Sequence, residues 1–266
     1  GRIKASMPAR WIAAFTVSIL ATLVARWGLG DVHQYAVPGQ AKVTTGLIWW
    51  AVLAGPPLAI AAHYFVRLAN SGRSNGPKNL SILPLCMAVF VLLGAALVFL
   101  PELAGNGRIA AQMGFSGTAS LSFTALLWPC KICFEWAALR AGAKGGLLTP
   151  SLANGAMLAV LLGHVWTLAV PQSMGRTFGG AFALVGGTGF LAVSTGMPFM
   201  ALALVMDMTQ VDASFLLPMA LCAASAWATR HFLFTPAGRL PTVKKPGRAK
   251  NRSRRRKRQT TRRAKK

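Results

Sequence analysis

Six stretches of this chain, residues 12–29, 45–65, 82–100, 121–139, 147–170 and 213–234, are apolar over at least the ~18 residues needed to cross the hydrocarbon core of a bilayer. A seventh, residues 181–206, is as apolar but is interrupted by Gly186, Gly187, Gly189, Gly196 and Pro198. Such a pattern leaves few folds open. In hydrocarbon every unpaired backbone amide costs several kcal/mol, so a spanning chain is helical or forms a closed barrel, and runs of this length are helices. The composition agrees: 54% of residues are hydrophobic and 13% charged, against roughly a quarter charged in a soluble domain. The expectation is an all-α polytopic membrane protein, with some of its helices broken.

The charge is unevenly placed. Residues 239–266 carry 15 of the 29 Lys and Arg and no acid, leaving 14 basic and five acidic residues, net +9, in the rest. That tail has almost nothing apolar to bury, so it is predicted to be disordered. The positive-inside rule puts it in the cytoplasm. There it would meet anionic lipid headgroups at ~1 kcal/mol per basic residue. It follows a membrane span directly and lacks interleaved aromatics, so nucleic acid is not an expected partner. The expected division is a membrane domain over 1–238 and a basic tail over 239–266. The opening GRIKASMPAR has no initiator Met and reads like the middle of a reading frame, so an N-terminal part is expected to be missing.

Reactive side chains are sparse. Cys86, Cys130, Cys133 and Cys222 all fall in apolar segments, and the C-x-x-C of Cys130 and Cys133 has no flanking His or further Cys, so these are read as packing residues. His33, His63, His164 and His231 are scattered without ligand spacing. No metal, cofactor or acid–base cluster is expected, and the chain is not read as an enzyme. Lys131 and Glu135 lie four apart in the fourth segment. A charge at bilayer depth costs ~2.5–3.5 kcal/mol, so both should face protein or a water-filled cavity, and together they can neutralise each other on one helix face. A structural intramembrane pair and a role in transport both remain open on this spacing.

Two breaks in the apolar pattern carry more information. Gly55-Pro56-Pro57 should kink the second segment near mid-membrane. RAGAKGGLLTPSLANGAM, residues 140–157, puts four glycines and a proline between two spans. Gly142, Gly145 and Gly146 allow a sharp turn with positive φ. A helix resuming near Pro150, whose missing N–H suits a first turn, would aim the amides of Leu147, Leu148 and Thr149 outward. About half a positive charge resides at such an end, which makes an anion site out of backbone. Conduction requires that the site also release its ion. Lys144 would add positive potential if it faces the same cavity; snorkelling outward is its other placement. Taken alone, the break supports a transporter or a channel.

With these residues in place the chain resembles the CLC family of voltage-gated chloride channels and proton-coupled chloride antiporters. The family motif G-x-F-x-P stands here as Gly146-Leu147-Leu148-Thr149-Pro150, with Leu148 replacing the aromatic. LPELAGNGRIAAQ, GGTGFLAVSTGMPFMALALVMDMTQ (with Asp207 for a Glu) and FLLPMALCAASAWATRHF resemble further family segments in the expected order. The resemblance covers nearly all of residues 8–235. It implies an inverted-repeat helical fold with broken and tilted helices, of which this chain holds the last two helices of the first repeat and the second repeat. It also implies chloride transport as a channel or H+/Cl− antiporter, with the anion held by backbone amides of the filter turn Gly146 to Pro150. A homodimer packed through apolar helix faces is implied, in what is read as a bacterial inner membrane with the C-terminus cytoplasmic.

The departures are specific. The family motifs G-S-G-I-P and G-K/R-E-G-P do not occur in this chain, so by itself it is expected not to transport. A coordinating tyrosine is expected after the penultimate helix, but Tyr35 and Tyr64 lie far upstream and HFLF, residues 231–234, offers no hydroxyl. Asp31 falls close to an inner acid used by antiporter members, which makes it a candidate for a proton pathway; an Asp in a turn after a helix is more often an ordinary loop residue. The rival readings are another secondary transporter of small organic anions with broken helices, and a non-transporting membrane scaffold fragment.

Overall fold

All seven apolar segments are helical in the computed structural model, which describes residues 7–30, 33–38, 42–74, 76–77, 80, 82–169 and 178–234. Among the described residues the helices are α1 (Met7–Leu29), α2 (Thr45–Ser74), α3 (Ile82–Phe99), α4 (Arg108–Ser116), α5 (Leu121–Arg140), α6 (Leu148–Ala169), α7 (Gly179–Thr195), α8 (Pro198–Thr209) and α9 (Leu216–Phe234). Short 3-10 turns at Pro101–Leu103 and Ala213–Phe215 precede α4 and α9. Asp31 and the basic tail lie outside the described residues. Cα packing separates Gly1–Arg230 from His231–Lys266, and the helix packing is that of the first of these units.

By length and composition α2, α3 and α6 are each able to cross a bilayer, while the apolar parts of α1, α7 and α8 are shorter. The seventh segment is resolved into two helices. Gly196, at φ +75°, ends α7, and Pro198 opens α8. The other three glycines of that segment do not break it. They lie inside a continuous α7 whose residues from Gly180 to Val193 are all buried. Membrane helices gain by close approach of small residues rather than by hydrophobicity, since lipid is as apolar as leucine. A Cβ on Gly186 would run into the Cβ of Ala159 on α6, and one on Gly189 would lie 2.6 Å from Cys222 Sγ on α9. Conversely, Gly155 and Gly163 of α6 make room for Phe190 and Phe182 of α7, each 2.5 Å from where a Cβ would stand. α6 and α7 are thus pressed together along their lengths, and α2, α4 and α8 pack around α7.

α2 runs unbroken from Thr45 to Ser74 with Pro56 and Pro57 inside it. Pro56 has no N–H, so the carbonyl of Val52, four residues earlier, loses its helical donor. The hydroxyl of Ser225 on α9 donates to that carbonyl at 2.7 Å. Gly55 makes this reach feasible: a side chain there would meet Ser225 Oγ and stand 2.7 Å from its Cβ. The three-residue break Gly55-Pro56-Pro57 is therefore the docking point of α9.

Exposure identifies faces that no described residue covers. α1 is exposed along its described side chains from Ile12 to Gly28, and α3 buries only Val89.

Thermal unfolding of the protein in detergent, read by circular dichroism, checks both the docking point and the glycine contacts. Ser225→Ala leaves the Val52 carbonyl unpaired in an apolar setting and is expected to destabilise by about 1–3 kcal/mol. Gly186→Val forces Ala159 away and is expected to destabilise by about 1–3 kcal/mol or more, while Thr118→Ala in an exposed turn leaves Tm unchanged.

Candidate functional site

The turn between α5 and α6 is built first by the way α5 ends. The amide of Ala143 donates to the Ala138 carbonyl at 3.0 Å and that of Gly142 to the Leu139 carbonyl at 3.2 Å, with Gly142 at φ +96°. This is a Schellman ending, and its left-handed position favours glycine. Ile82 Cδ1 lies 2.7 Å from where a Cβ on Gly142 would be, so space as well as backbone demands glycine there. Gly145 and Gly146 differ from the expectation: neither has a positive φ, both are exposed, and nothing lies within 4 Å of a Cβ built on either. Their conformation is open to other residues, since the Schellman turn has already reversed the chain.

The stretch of turn beyond it is held from α2. Gly72 and Gly76 let the end of α2 lie against the end of α5, where Trp136 Nε1 donates to Ser71 Oγ at 3.3 Å. That placement brings Arg73 to Gly145, and its guanidinium donates to the Gly145 carbonyl at 2.6 Å.

α6 begins at Leu148, two residues before the expected position. Its first bonded amide is that of Ser151, which donates to the Leu147 carbonyl at 2.9 Å. Pro150 therefore sits third in the helix, where its missing N–H is still one of the four that no intrahelical carbonyl can take. The amides of Leu147, Leu148 and Thr149 have no acceptor among the described residues. No acid stands in the first turn of α6 to neutralise its positive end. Burial rises along the turn: Gly145 and Gly146 are exposed, Leu147 to Thr149 half-buried, and Pro150 to Met157 buried. The free amides therefore sit at the edge of the core, aimed away from it. Lys144 is exposed beside them.

Behind this turn lies a cluster that the sequence only partly announced. Lys131, 1% exposed, and Glu135, 14% exposed, form an ion pair across one turn of α5 with Nζ to Oε1 at 3.7 Å. Lys131 Nζ also approaches the Leu103 carbonyl at 3.5 Å. Its stem passes Gly107, at φ +102°, where a Cβ would stand 3.1 Å from Lys131 Cε and 2.6 Å from Ala153 Cβ of α6. The G-N-G of residues 105–107 is thus the gap through which Lys131 reaches its partners. Asn154, which sequence reasoning missed, completes the cluster: its Nδ2 donates to Glu135 Oε2 at 2.7 Å and to the Pro150 carbonyl at 2.9 Å. A polar Asn within an apolar span, four residues past the motif proline, is the signal that would have found it, and the structure buries it fully. Ser151 Oγ, Asn154 Oδ1 and Glu135 Oε1 are buried without a hydrogen-bond partner among the described residues. Removing one member of such a buried pair strands the other charge, at about 3–5 kcal/mol.

Asp31 itself is outside the described residues, but the loop after it is held: Gln112 on α4 accepts from the Ala36 amide at 2.9 Å and donates to the Ala36 carbonyl at 2.7 Å. Tyr35 in that loop is buried edge-on against Phe115, with ring centroids 5.2 Å apart. Burial pushes its phenol above the usual range, and the Arg108 charge opposes this in part. Tyr64 is exposed on α2 and, like Tyr35, is not part of the turn at Gly146. Cys130 and Cys133 are free thiols, half-buried and exposed. Among the described residues no group of three or more His, Cys, Asp or Glu is arranged to hold a metal ion.

Known proteins resemble this chain in sequence and in fold. The profile of the family described as voltage gated chloride channel matches residues 3–231. A ClcB-like chloride channel protein of Ralstonia nicotianae is 28% identical over 226 residues, 83% of this chain and 51% of that protein. The voltage-gated ClC-type chloride channel ClcB of Escherichia coli O9:H4 is 28% identical over 178 residues, 66% of this chain and 41% of that protein. The chain thus spans about half the length of the curated relatives it matches. A slow cyanobacterial Cl−/H+ antiporter solved by X-ray crystallography superposes with a TM-score of 0.72 at 18% identity, covering 81% of this chain and 51% of that one, and so shares the fold. With the profile matching from residue 3 to residue 231, this chain belongs to the voltage-gated chloride channel family, the CLC chloride channels and antiporters.

Proposed function

We propose that this chain supplies one wall of a chloride pathway, with the anion held by the backbone amides of Leu147, Leu148 and Thr149 in the turn Gly146 to Pro150. The observation that carries this is the start of α6: three adjacent amides without acceptors among the described residues, a helix dipole with no acid in its first turn, and a position at the edge of the core. Each feature favours negative charge, and together they replace part of an ion's hydration shell with donors that need no reorganisation. The relatives named as chloride channels and the structural neighbour named as a Cl−/H+ antiporter point to the same ion. Passive conduction and proton-coupled exchange would use this site alike.

The whole protein is proposed to work as a homodimer in a bacterial inner membrane, packed through apolar helix faces, with residues 1–238 as its membrane domain and the tail 239–266 in the cytoplasm. Asp31 is proposed for the proton pathway of an exchanging protein. Chemical catalysis has no part in this reading, because ion transport needs no bond made or broken.

Chloride efflux from liposomes, with the protein expressed from its complete reading frame, tests the site. Leu148→Pro removes one amide at the first helical position, where proline is well tolerated, so the helix keeps its start. A hydrogen bond to a charged group contributes about 1.5–3 kcal/mol, so flux at sub-saturating chloride is expected to fall about tenfold or more, or the order of anion preference to change. Leu147→Pro is expected to act in the same direction. Wild-type flux and preference in variants that elute as a single species would make the break structural.

A further inference from the structure

The cluster behind the filter turn does more than bury two charges. We propose that Lys131, Glu135 and Asn154 form an electrically neutral clamp that sets the first turn of α6, making Glu135 and Asn154 positioning residues for the anion site. This rests on the amide site proposed above and adds to it a means of fixing its geometry and its charge.

The geometry forms one continuous path. Leu103 at the start of the G-N-G loop meets Lys131 at 3.5 Å, Lys131 meets Glu135 at 3.7 Å, Glu135 accepts from Asn154 at 2.7 Å, and Asn154 reaches the Pro150 carbonyl at 2.9 Å. Pro150 is one peptide from Thr149 and two from Leu148, whose amides are the proposed donors. Asn154 uses both hydrogens of its side-chain nitrogen, one on α5 and one on the first turn of α6, so neither helix can slide without breaking a buried bond. Such networks specify a unique arrangement because a half-satisfied alternative leaves buried polar atoms stranded. The charge balance matters as much. A lone carboxylate this close behind the amides would repel an anion, and a lone ammonium would hold it too firmly for release. The pair presents no net charge, and the amides alone set the affinity.

Charge-specific variants distinguish this role from bulk stability. The assay is titration calorimetry with chloride and the chloride-to-nitrate flux ratio in liposomes, on protein from the complete reading frame. Glu135→Gln keeps an oxygen for Asn154 but removes the negative charge, and apparent chloride affinity is expected to rise about threefold to tenfold, for the loss of one nearby charge at a partly screened site. Lys131→Met is expected to lower it by a similar factor. Asn154→Ala leaves the ion pair in place but removes the side-chain bonds to Glu135 and to the Pro150 carbonyl, and is expected to narrow the preference for chloride over nitrate. A pair that served stability alone would lower Tm in these variants and leave affinity and preference at wild-type values, and that result would overturn the clamp.

If Lys131→Met does not yield a single species, the neutral double variant Lys131→Met/Glu135→Gln takes its place. It is expected to bind chloride as wild type does, and an affinity equal to that of Glu135→Gln alone would count against the clamp. Leu148→Pro separates the two ideas. Chloride binding lost there but unchanged in Glu135→Gln and Asn154→Ala would sink the clamp and leave the amide site standing. Chloride bound by Leu148→Pro as by wild type would remove the site, and the clamp with it.

Discussion

A peptide group that loses its helical partner inside hydrocarbon has to find another one, and the architecture here depends on where those partners are. Pro56 strips the Val52 carbonyl of its donor, and Ser225 supplies one from α9. The end of α5 closes on itself through Gly142, and the carbonyl of Gly145 is taken by Arg73 from α2. These irregularities in the backbone are answered by a glycine turn or by an element distant in sequence, so the breaks are also joints of the structure. The start of α6 stands apart, because its three amides have no acceptor among the described residues. At that point the described residues leave three donors unsatisfied, and the proposed anion would be their acceptor.

Close packing makes those joints reachable. Lipid offers helices no hydrophobic incentive to associate, so contact has to come from shape. Gly155 and Gly163 on α6 receive Phe190 and Phe182, while Gly186 and Gly189 on α7 receive Ala159 and Cys222. α7, buried from Gly180 to Val193, is the post against which α6 is fixed. A site made of backbone amides can be no better positioned than the helix that carries it. The glycines of α6 and α7 therefore matter to the proposed anion site as much as the turn itself, although none of them belongs to that turn.

Charge enters the interior under the same restraint. Lys131 is accommodated because Gly107 clears its stem and Glu135 meets its head, and Glu135 in turn because Asn154 donates to it. The i,i+4 spacing brings the two charges to one face of α5, but it does not say what else that face touches. Helix packing brought Asn154 and the Leu103 carbonyl to it, and so linked a buried pair to the first turn of α6.

Much of the fold was legible because its cause is local. Apolar runs that exceed the bilayer thickness have to be helices, and a Gly-Gly-x-x-x-Pro between two of them has to turn one helix out and start another. The motif at Gly146 to Pro150 could thus be located by sequence alone. What the local pattern could not decide was which glycines turn the chain and which receive a neighbour. Gly142 turns it with a φ of +96°, whereas Gly145 and Gly146 do not, and Gly186, Gly187 and Gly189 leave α7 unbroken. Nor could it place the start of α6 at Leu148 rather than nearer Pro150, since proline is compatible with any of the first helical positions. Residue order and hydropathy determined that this chain makes helices and that one of them starts, with amides left over, close to Pro150. The partners of its broken peptides and buried charges were decided by tertiary packing, because Ser225 and Val52, or Asn154 and Glu135, become neighbours only when whole helices settle against one another.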